Sequence, residues 1–197
     1  MDCVPPMTLL IKPASGLCNM RCKYCFYSDV AESRRTGQCG IMSEQTLETL
    51  VRKAFYYGEG NCFFGFQGGE PTLAGLDFYE KLLDYQNRCY RPGVRVLNAI
   101  QTNGYALDDE WAAFFAKNQF LVGVSLDGTK EIHDALRLDG AGNGTYQKTL
   151  GAIRLLQKHG ADYNILCVVT GAAARNAKQV YHTLKAHKYL QFIPCLD

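Results

Sequence analysis

Three cysteines lie within one short segment near the start of the chain. Cys18, Cys22 and Cys25 follow the spacing C-x3-C-x2-C, which is compact enough to place three thiolates around one small inorganic centre. A structural zinc site or an ordinary cubane iron–sulfur cluster takes four protein ligands. Three thiolates leave one coordination position open, as catalytic metal sites do. The segment therefore predicts a metal centre with a vacant position. Its spacing favours iron–sulfur over zinc, and a zinc site completed by a distant ligand stays open.

A second polar segment contains two consecutive glycines, Gly68 and Gly69, followed by Glu70 and Pro71. The glycines allow the backbone to take positive φ and to approach a ligand closely. Glu70 presents a carboxylate suited to an ammonium group. Taken alone, the segment is better explained as a plain turn between a strand and a helix.

Further polar residues occur in two more short segments of the chain. One contains Gln101 and Asn103, and the other contains Ser125 and is followed by His133 and Arg137. Each follows an apolar run of strand length, as the cysteine and diglycine segments also do. This shared position indicates one common ligand face.

The elements that must position these residues are visible as alternating apolar and amphipathic stretches. The apolar runs lie at 7–11, 62–66, 94–100, 121–126, 163–169 and 190–193. They are typical of parallel strands buried on both faces. The amphipathic stretches predict five helices. Three are expected between Ser43 and Gly58, between Thr145 and Gly160, and over 175–189. The other two are expected to begin at a capping box of Asp77 and Glu80 and at a cap formed by Asp108.

This alternation predicts an α/β fold with a parallel sheet and helices packed outside it. Six strands connected in this way fit either an open doubly wound sheet or part of a (β/α) barrel. In both architectures ligands bind at the carboxyl ends of the strands. The polar segments described above follow those ends.

Composition excludes several classes of protein. The 197 residues are 47% hydrophobic and carry a formal net charge of +2, which indicates a globular chain and gives no support for nucleic-acid or membrane-surface binding. No signal peptide or apolar run of bilayer length is visible, so we expect a cytoplasmic protein. Nine cysteines in such a chain indicate metal or redox chemistry rather than a disulfide framework.

The motifs together resemble a known family. Cys18-x3-Cys22-x-Tyr24-Cys25 followed by Gly68-Gly69-Glu70-Pro71 resembles the radical S-adenosylmethionine (SAM) superfamily. The wider set includes 101–104, 125–128 and the segment from His133 to Arg137. It is similar to the anaerobic sulfatase-maturating enzymes, although related peptide-modifying enzymes share these segments.

The resemblance implies a cofactor pair and a reaction. The three cysteines would hold a [4Fe–4S] cluster whose unique iron chelates SAM. An electron passed to SAM would release methionine and a 5′-deoxyadenosyl radical, which would oxidise a Cys or Ser of a sulfatase to formylglycine. The implied partners are a sulfatase polypeptide or peptide and a low-potential electron donor.

The resemblance also assigns roles to the polar residues. Tyr24 would pack by the adenine, and the backbone of Gly68 and Gly69 with Glu70 would receive the methionine ammonium group. Ser125 and Arg137 would bind the SAM carboxylate or ribose. Gln101 and Asn103 would face the cofactor or the peptide.

Family members are considerably longer, with a C-terminal region that carries two auxiliary clusters and the acid–base residue. We therefore expect residues 1–197 to be a radical SAM core domain, a partial (β/α)6 TIM-like barrel truncated after its sixth strand, with the catalytic base outside it. Three alternatives stay open. These are another radical SAM peptide modifier such as a thioether-forming enzyme, a form that binds cluster and SAM without turnover, and a non-catalytic zinc module.

The other cysteines and histidines need no special function. Cys62, Cys89 and Cys167 are expected in the core, Cys39 in a loop, and Cys195 is open. His133 is interpreted as a solvated loop residue.

Overall fold

The computed structural model describes residues 6–27, 33, 39–187 and 189–195. Its six strands are β1 (Met7–Ile11), β2 (Asn61–Phe66), β3 (Arg95–Thr102), β4 (Leu121–Ser125), β5 (Tyr163–Val169) and β6 (Leu190–Pro194). Its helices are α1 (Glu44–Tyr57), α2 (Leu76–Cys89), α3 (Asp109–Lys117), α4 (Lys130–Leu136), α5 (Tyr146–His159), α6 (Gly171–Arg175) and α7 (Ala177–Leu184), with a 3₁₀ turn at Pro71–Ala74. Every strand predicted from the apolar runs is present, and no strand end differs from its predicted position by more than two residues.

The strands form one parallel sheet in the order β1-β2-β3-β4-β5-β6. A doubly wound sheet reverses its strand order at a switch point, and this sheet does not. Because successive parallel crossovers share one hand, a sequential order places the connecting helices on one face and curves the sheet. The result is a half-barrel, which confirms the predicted partial (β/α)6 architecture.

Two helix predictions need correction. Helix α2 begins at Leu76 after Gly75, with no side-chain cap, so Asp77 lies within its first turn and the proposed capping box is wrong. The single helix expected at 175–189 is two helices that separate at Asn176 and end at Leu184. Thr170 starts the first of them by accepting a hydrogen bond from the Ala173 N–H, and Asn176 leaves helical geometry. The cap formed by Thr170 therefore determines where the first helix begins, which the apolar periodicity of 175–189 does not indicate.

Other helix boundaries agree with the sequence. Ser43 Oγ accepts the Thr46 N–H at 3.3 Å, and Gly58 follows the last residue of α1. Asp108 Oδ1 accepts the Trp111 N–H at 3.0 Å at the start of α3. Gly160 closes α5 in the left-handed region at φ 71°.

The core lies between the convex face of the sheet and the helices. It consists of alternate strand residues and the apolar stripes of the helices, and its largest fully buried members include Phe64, Phe66, Ile100 and Ile165 from strands and Leu47, Leu82, Phe115 and Leu156 from helices. Cys62 and Cys167 are buried with them, as predicted, whereas Cys89, also expected in the core, is only partly buried and packs against it. Burial of this layer fixes which side chains of each strand face the opposite, concave side.

The concave face of the sheet contains a cavity of about 200 Å³. Leu10, Gly65, Ala99, Leu121 and Asn164 are among the residues that line it. None of the helices in the described ranges is long and apolar enough to cross a membrane.

Candidate functional site

The cysteine segment begins after β1 and is fixed on one side by the diglycine turn that follows β2. The Gly69 N–H donates to Ser15 O at 3.1 Å, and the Glu70 N–H donates to Leu17 O at 2.7 Å. A Cβ atom at Gly69 would lie 2.0 Å from Leu17 O. The close approach that we predicted for this turn is therefore an approach to the chain's own backbone at the entrance to the cysteine segment.

The opposite side of the segment is fixed by the last residue of α4 and by residues that follow this helix. The Arg21 N–H donates to Leu138 O at 2.7 Å, and the Lys23 N–H donates to Leu136 O at 2.9 Å. Met20 forms an antiparallel bridge with Asp139. The three cysteines thus lie in a segment held by backbone hydrogen bonds from two distant parts of the chain.

The three thiols are free and half-buried. Burial raises the pKa of Cys22 to about 11, although the charge of Arg137 opposes this shift. Burial also raises the pKa of Cys18, against hydrogen bonds from Met20 and Asn103. Because metal binds the thiolate, loading this site releases protons.

The described residues contain no three His, Cys, Asp or Glu side chains that meet as ligands of a single metal ion. A cluster in which each of three irons takes one sulfur does not require such convergence. The chemistry of the donor set, three free thiols in one fixed segment, fits an iron–sulfur cluster.

Glu70 is buried, with 1% of its surface exposed, and its carboxylate contacts the protein itself. Oε1 accepts hydrogen bonds from the Thr72 N–H, the Thr72 hydroxyl and the Thr102 hydroxyl at 2.7–3.1 Å. Oε2 accepts the Asn103 N–H at 2.8 Å. Burial raises the pKa of Glu70, and these donors oppose the shift by favouring the ionised form. The carboxylate therefore joins the diglycine turn to the end of β3. The predicted contact of Glu70 with an ammonium group stays a prediction. It would involve Oε2, which accepts one hydrogen bond, whereas Oε1 accepts three.

Asn103 connects this carboxylate to the cysteine segment. Its side-chain Nδ2 lies 2.9 Å from Asn19 Oδ1 and 3.7 Å from Cys18 Sγ. The residue is 7% exposed. Glu70, Asn103 and Cys18 are thus brought together, although they lie far apart in sequence.

Tyr24, Asp127 and Arg137 form a second, charged group beside Cys22. Arg137 Nη1 donates to the Tyr24 hydroxyl at 2.5 Å and lies 3.7 Å from Asp127 Oδ2, which also accepts the Tyr24 O–H. Asp127 Oδ1 accepts the Val168 N–H at 2.9 Å. The guanidinium is buried and its Nε has no partner among the described residues. The expected contacts of Tyr24 with adenine and of Arg137 with carboxylate or ribose stay predictions.

His133 is not a solvated loop residue. It lies on α4, is fully buried, and accepts the Asp127 N–H at Nδ1 over 3.3 Å. Its Nε2 lies 3.1 Å from Thr145 Oγ1, which donates to Arg137 O at 2.9 Å. This pattern requires a neutral ring protonated at Nε2. Burial and the charge of Arg137 lower the pKa of His133 to about 3. The sequence prediction was wrong because α4 turns this side chain inward.

Gln101 and Ser125 lie at the carboxyl ends of neighbouring strands. Gln101 Nε2 donates to Ser125 Oγ at 3.2 Å. Gly123, between Gln101 and Asn164 in the sheet register, has no side chain to separate them. The third group of predicted site residues is thus also a contacting pair.

Sequence reasoning assigned no role to Asp127. Asp127 follows β4 closely, and its role becomes visible once Arg137 is found to be buried, because a buried guanidinium requires a counter-charge. His133 and Thr145 could be found only from the structure.

Comparison with known proteins identifies the family. The model of the Radical SAM superfamily matches residues 13–184. The chain belongs to the radical SAM superfamily. Among curated relatives, it is 46% identical over 196 residues to the cysteine-type anaerobic sulfatase-maturating enzyme of Clostridium perfringens, covering 98% of this chain and 53% of that protein. It is 35% identical to the serine-type enzyme of Bacteroides thetaiotaomicron, covering 98% of this chain and 47% of the other.

Solved structures agree with this radical SAM assignment. Native anSMEcpe with bound AdoMet and Kp18Cys peptide superimposes with a TM-score of 0.91 at 46% identity, covering 98% of this chain and 52% of that one. The chain spans about half the length of the relatives that it matches. The resemblance read from the motifs is confirmed.

Proposed function

We propose that this radical SAM domain belongs to an enzyme that oxidises a Cys or Ser side chain of a sulfatase to formylglycine. The observation that carries the proposal is that the cysteine segment, the Glu70–Asn103 pair and the Arg137 group lie next to one another at one edge of a half-barrel. The 46% identity to a cysteine-type maturase supports it. Residues 1–197 act as the core domain in this proposal.

Cys18, Cys22 and Cys25 are the ligands that we assign to a [4Fe–4S] cluster. When bound, the cluster supplies the electron that cleaves SAM and so starts the reaction. The protein contributes a fixed loop whose backbone is anchored at Ser15, Leu17 and residues 136–138. This anchoring holds the three sulfurs in place before the metal is loaded.

SAM is the second cofactor, and the polar residues around the cysteine segment are its proposed ligands. The carbonyl groups of Gly68 and Gly69, with Oε2 of Glu70, would accept the methionine ammonium group. Arg137 has a buried Nε without a described partner, and it is suited to the carboxylate or ribose together with Ser125. Tyr24 would pack by the adenine.

The substrate peptide is proposed to bind at the concave face of the sheet. Gln101 and Asn164 line that face, and their amide groups lie over Gly123, where they would hydrogen-bond a peptide backbone. A low-potential donor must supply the electron. After the radical takes a hydrogen atom, the target side chain must still lose one proton and one electron, and the base that takes this proton is not assigned to any residue of this chain.

The test is an anaerobic incubation of the iron- and sulfide-reconstituted chain with SAM, dithionite and a sulfatase-derived peptide, followed by mass spectrometry. We expect 5′-deoxyadenosine from the chain itself, and an aldehyde at the target residue when the base expected outside residues 1–197 is also present. Cys22→Ala should lose both iron and SAM cleavage, whereas Cys39→Ala, at an exposed cysteine, should keep them.

The alternatives give different outcomes in the same experiment. A thioether crosslink in the peptide would indicate another radical SAM modification. Cluster and SAM binding without deoxyadenosine would indicate a form that does not turn over. One zinc per chain, with no visible cluster absorbance after reconstitution, would contradict the proposal.

A further inference from the structure

We propose that Asn103 donates a hydrogen bond to the sulfur of Cys18 and thereby raises the reduction potential of the cluster held there. The inference rests on the proposed function, because it needs a cluster at the three cysteines. It gives Asn103 a role as a positioning and tuning residue, in place of the direct contact with cofactor or peptide that its motif suggested.

The orientation of the Asn103 amide is determined by its surroundings. Its Oδ1 accepts the Tyr105 N–H at 2.8 Å, so Oδ1 must be the oxygen. The other amide atom is then Nδ2, a donor, and it lies 2.9 Å from Asn19 Oδ1 and 3.7 Å from Cys18 Sγ. The Asn103 atom that faces the Cys18 sulfur is therefore the N–H donor and not the amide oxygen.

The backbone of Asn103 is fixed as well. Its N–H donates to Glu70 Oε2 at 2.8 Å, and its carbonyl accepts the Thr149 hydroxyl at 3.3 Å. With 7% of its surface exposed, the side chain has little room for another rotamer. The buried Glu70 carboxylate thus acts through Asn103 on the cysteine segment.

The Cys18 sulfur accepts a second hydrogen bond, from the Met20 N–H at 3.4 Å. Hydrogen bonds to cluster sulfurs are among the factors that set the reduction potential, because they stabilise the additional negative charge of the reduced form. Their effect is larger in a buried site, where water does not screen it. Loss of the Asn103 donor should therefore make the cluster harder to reduce.

The test is a redox titration, monitored by electron paramagnetic resonance, of the reconstituted wild-type 197-residue chain and its variants. Asn103→Asp keeps the acceptor for the Tyr105 N–H and replaces the donor with a charged oxygen. Asn103→Ser keeps an acceptor and stays neutral. We expect a more negative midpoint potential in both variants at equal iron content, and a larger shift for Asn103→Asp.

Thr149→Val is the matched control. It removes the hydrogen bond to the Asn103 carbonyl and leaves the amide facing Cys18, so its midpoint should equal that of wild type. Unchanged midpoints in both Asn103 variants, or an equal shift in Thr149→Val, would overturn the inference and leave the proposed function intact. A wild-type chain that takes up no cluster would instead contradict the proposed function. Should Asn103→Asp fail to fold, the comparison of Asn103→Ser with Thr149→Val decides the question.

Discussion

Asp127 is the counter-charge of a guanidinium that has almost no access to water. The side chains of Arg137 and Asp127 are 7% and 0% exposed, and the Tyr24 hydroxyl bridges them. Removing one partner of a buried charge pair leaves the other uncompensated, which costs far more than the net contribution of the pair. The charge balance of this site therefore depends on Asp127, to which the sequence motifs assigned no role.

Asp127→Asn should lower the free energy of unfolding by about 3 kcal/mol, because it leaves Arg137 buried without a charge partner. Urea unfolding of the 197-residue chain measures the change. Asp109→Asn is the control, since Asp109 pairs with Lys158 at the exposed surface, and it should have little effect. Equal stabilities for the two variants would refute the role of Asp127.

His133 gives the fold a dependence on pH. Its pKa is about 3 in the folded chain against an ordinary value of 6.5, so the unfolded chain binds the proton more readily. The neutral ring contributes its full stability above pH 6.5. That contribution is lost as the pH falls from 6.5 toward 3, because the proton favours the unfolded state.

Replacement of this histidine should therefore flatten the acid side of the stability curve. Between pH 6 and 4, the free energy of unfolding should fall more steeply in wild type than in His133→Gln, by roughly 1 kcal/mol per pH unit. His182→Gln, at an exposed position on α7, should keep the wild-type slope. Parallel curves for wild type and His133→Gln would show that the buried ring does not control acid stability.

At the scale of elements, the turn after β2 positions the cysteine segment by direct backbone contact. Gly69→Ala would place a Cβ 2.0 Å from Leu17 O, a backbone atom that cannot move alone. We expect a loss of about 2 kcal/mol in stability, together with reduced iron uptake during reconstitution. Chemical denaturation and iron analysis measure the two effects.

Gly151→Ala is the opposite case. Gly151 lies inside α5, and a Cβ there meets no atom within 4 Å. The substitution should stabilise the chain by about 0.5–1 kcal/mol and leave iron uptake unchanged. A Gly69→Ala variant as stable as Gly151→Ala would mean that the turn and the cysteine segment do not need this close contact.

The sequence predicts the strands and the ligand edge well, because both follow from burial and from parallel connectivity. The β5 boundaries were predicted to the residue, and Gln101 and Ser125 lie at the strand ends as expected. Side-chain orientation was harder to predict. Glu70 faces Thr72 and Thr102 rather than solvent, and His133 points inward. Both orientations depend on packing between distant parts of the chain, which a local sequence pattern does not predict.

At the scale of the whole molecule, the described half-barrel ends with β1 on one side and with β6 on the other. Within the described residues, β1 pairs with β2 alone and β6 with β5 alone. Ile193 on β6 is 46% exposed and shares its strand face with Gln191, which lines the concave cavity. An exposed apolar edge strand is a site at which a second sheet can add.

The 197-residue chain should therefore self-associate as its concentration rises, through the β6 edge and the adjoining concave face. Ile193→Lys places a charge on that edge and should shift the equilibrium toward monomer, as measured by sedimentation velocity. Tyr56→Lys is the control, because it removes an aromatic that is 73% exposed on α1, in the helical layer, and should leave association unchanged. If Tyr56→Lys dissociates the chain as effectively as Ile193→Lys, general surface apolarity rather than the free sheet edge drives association.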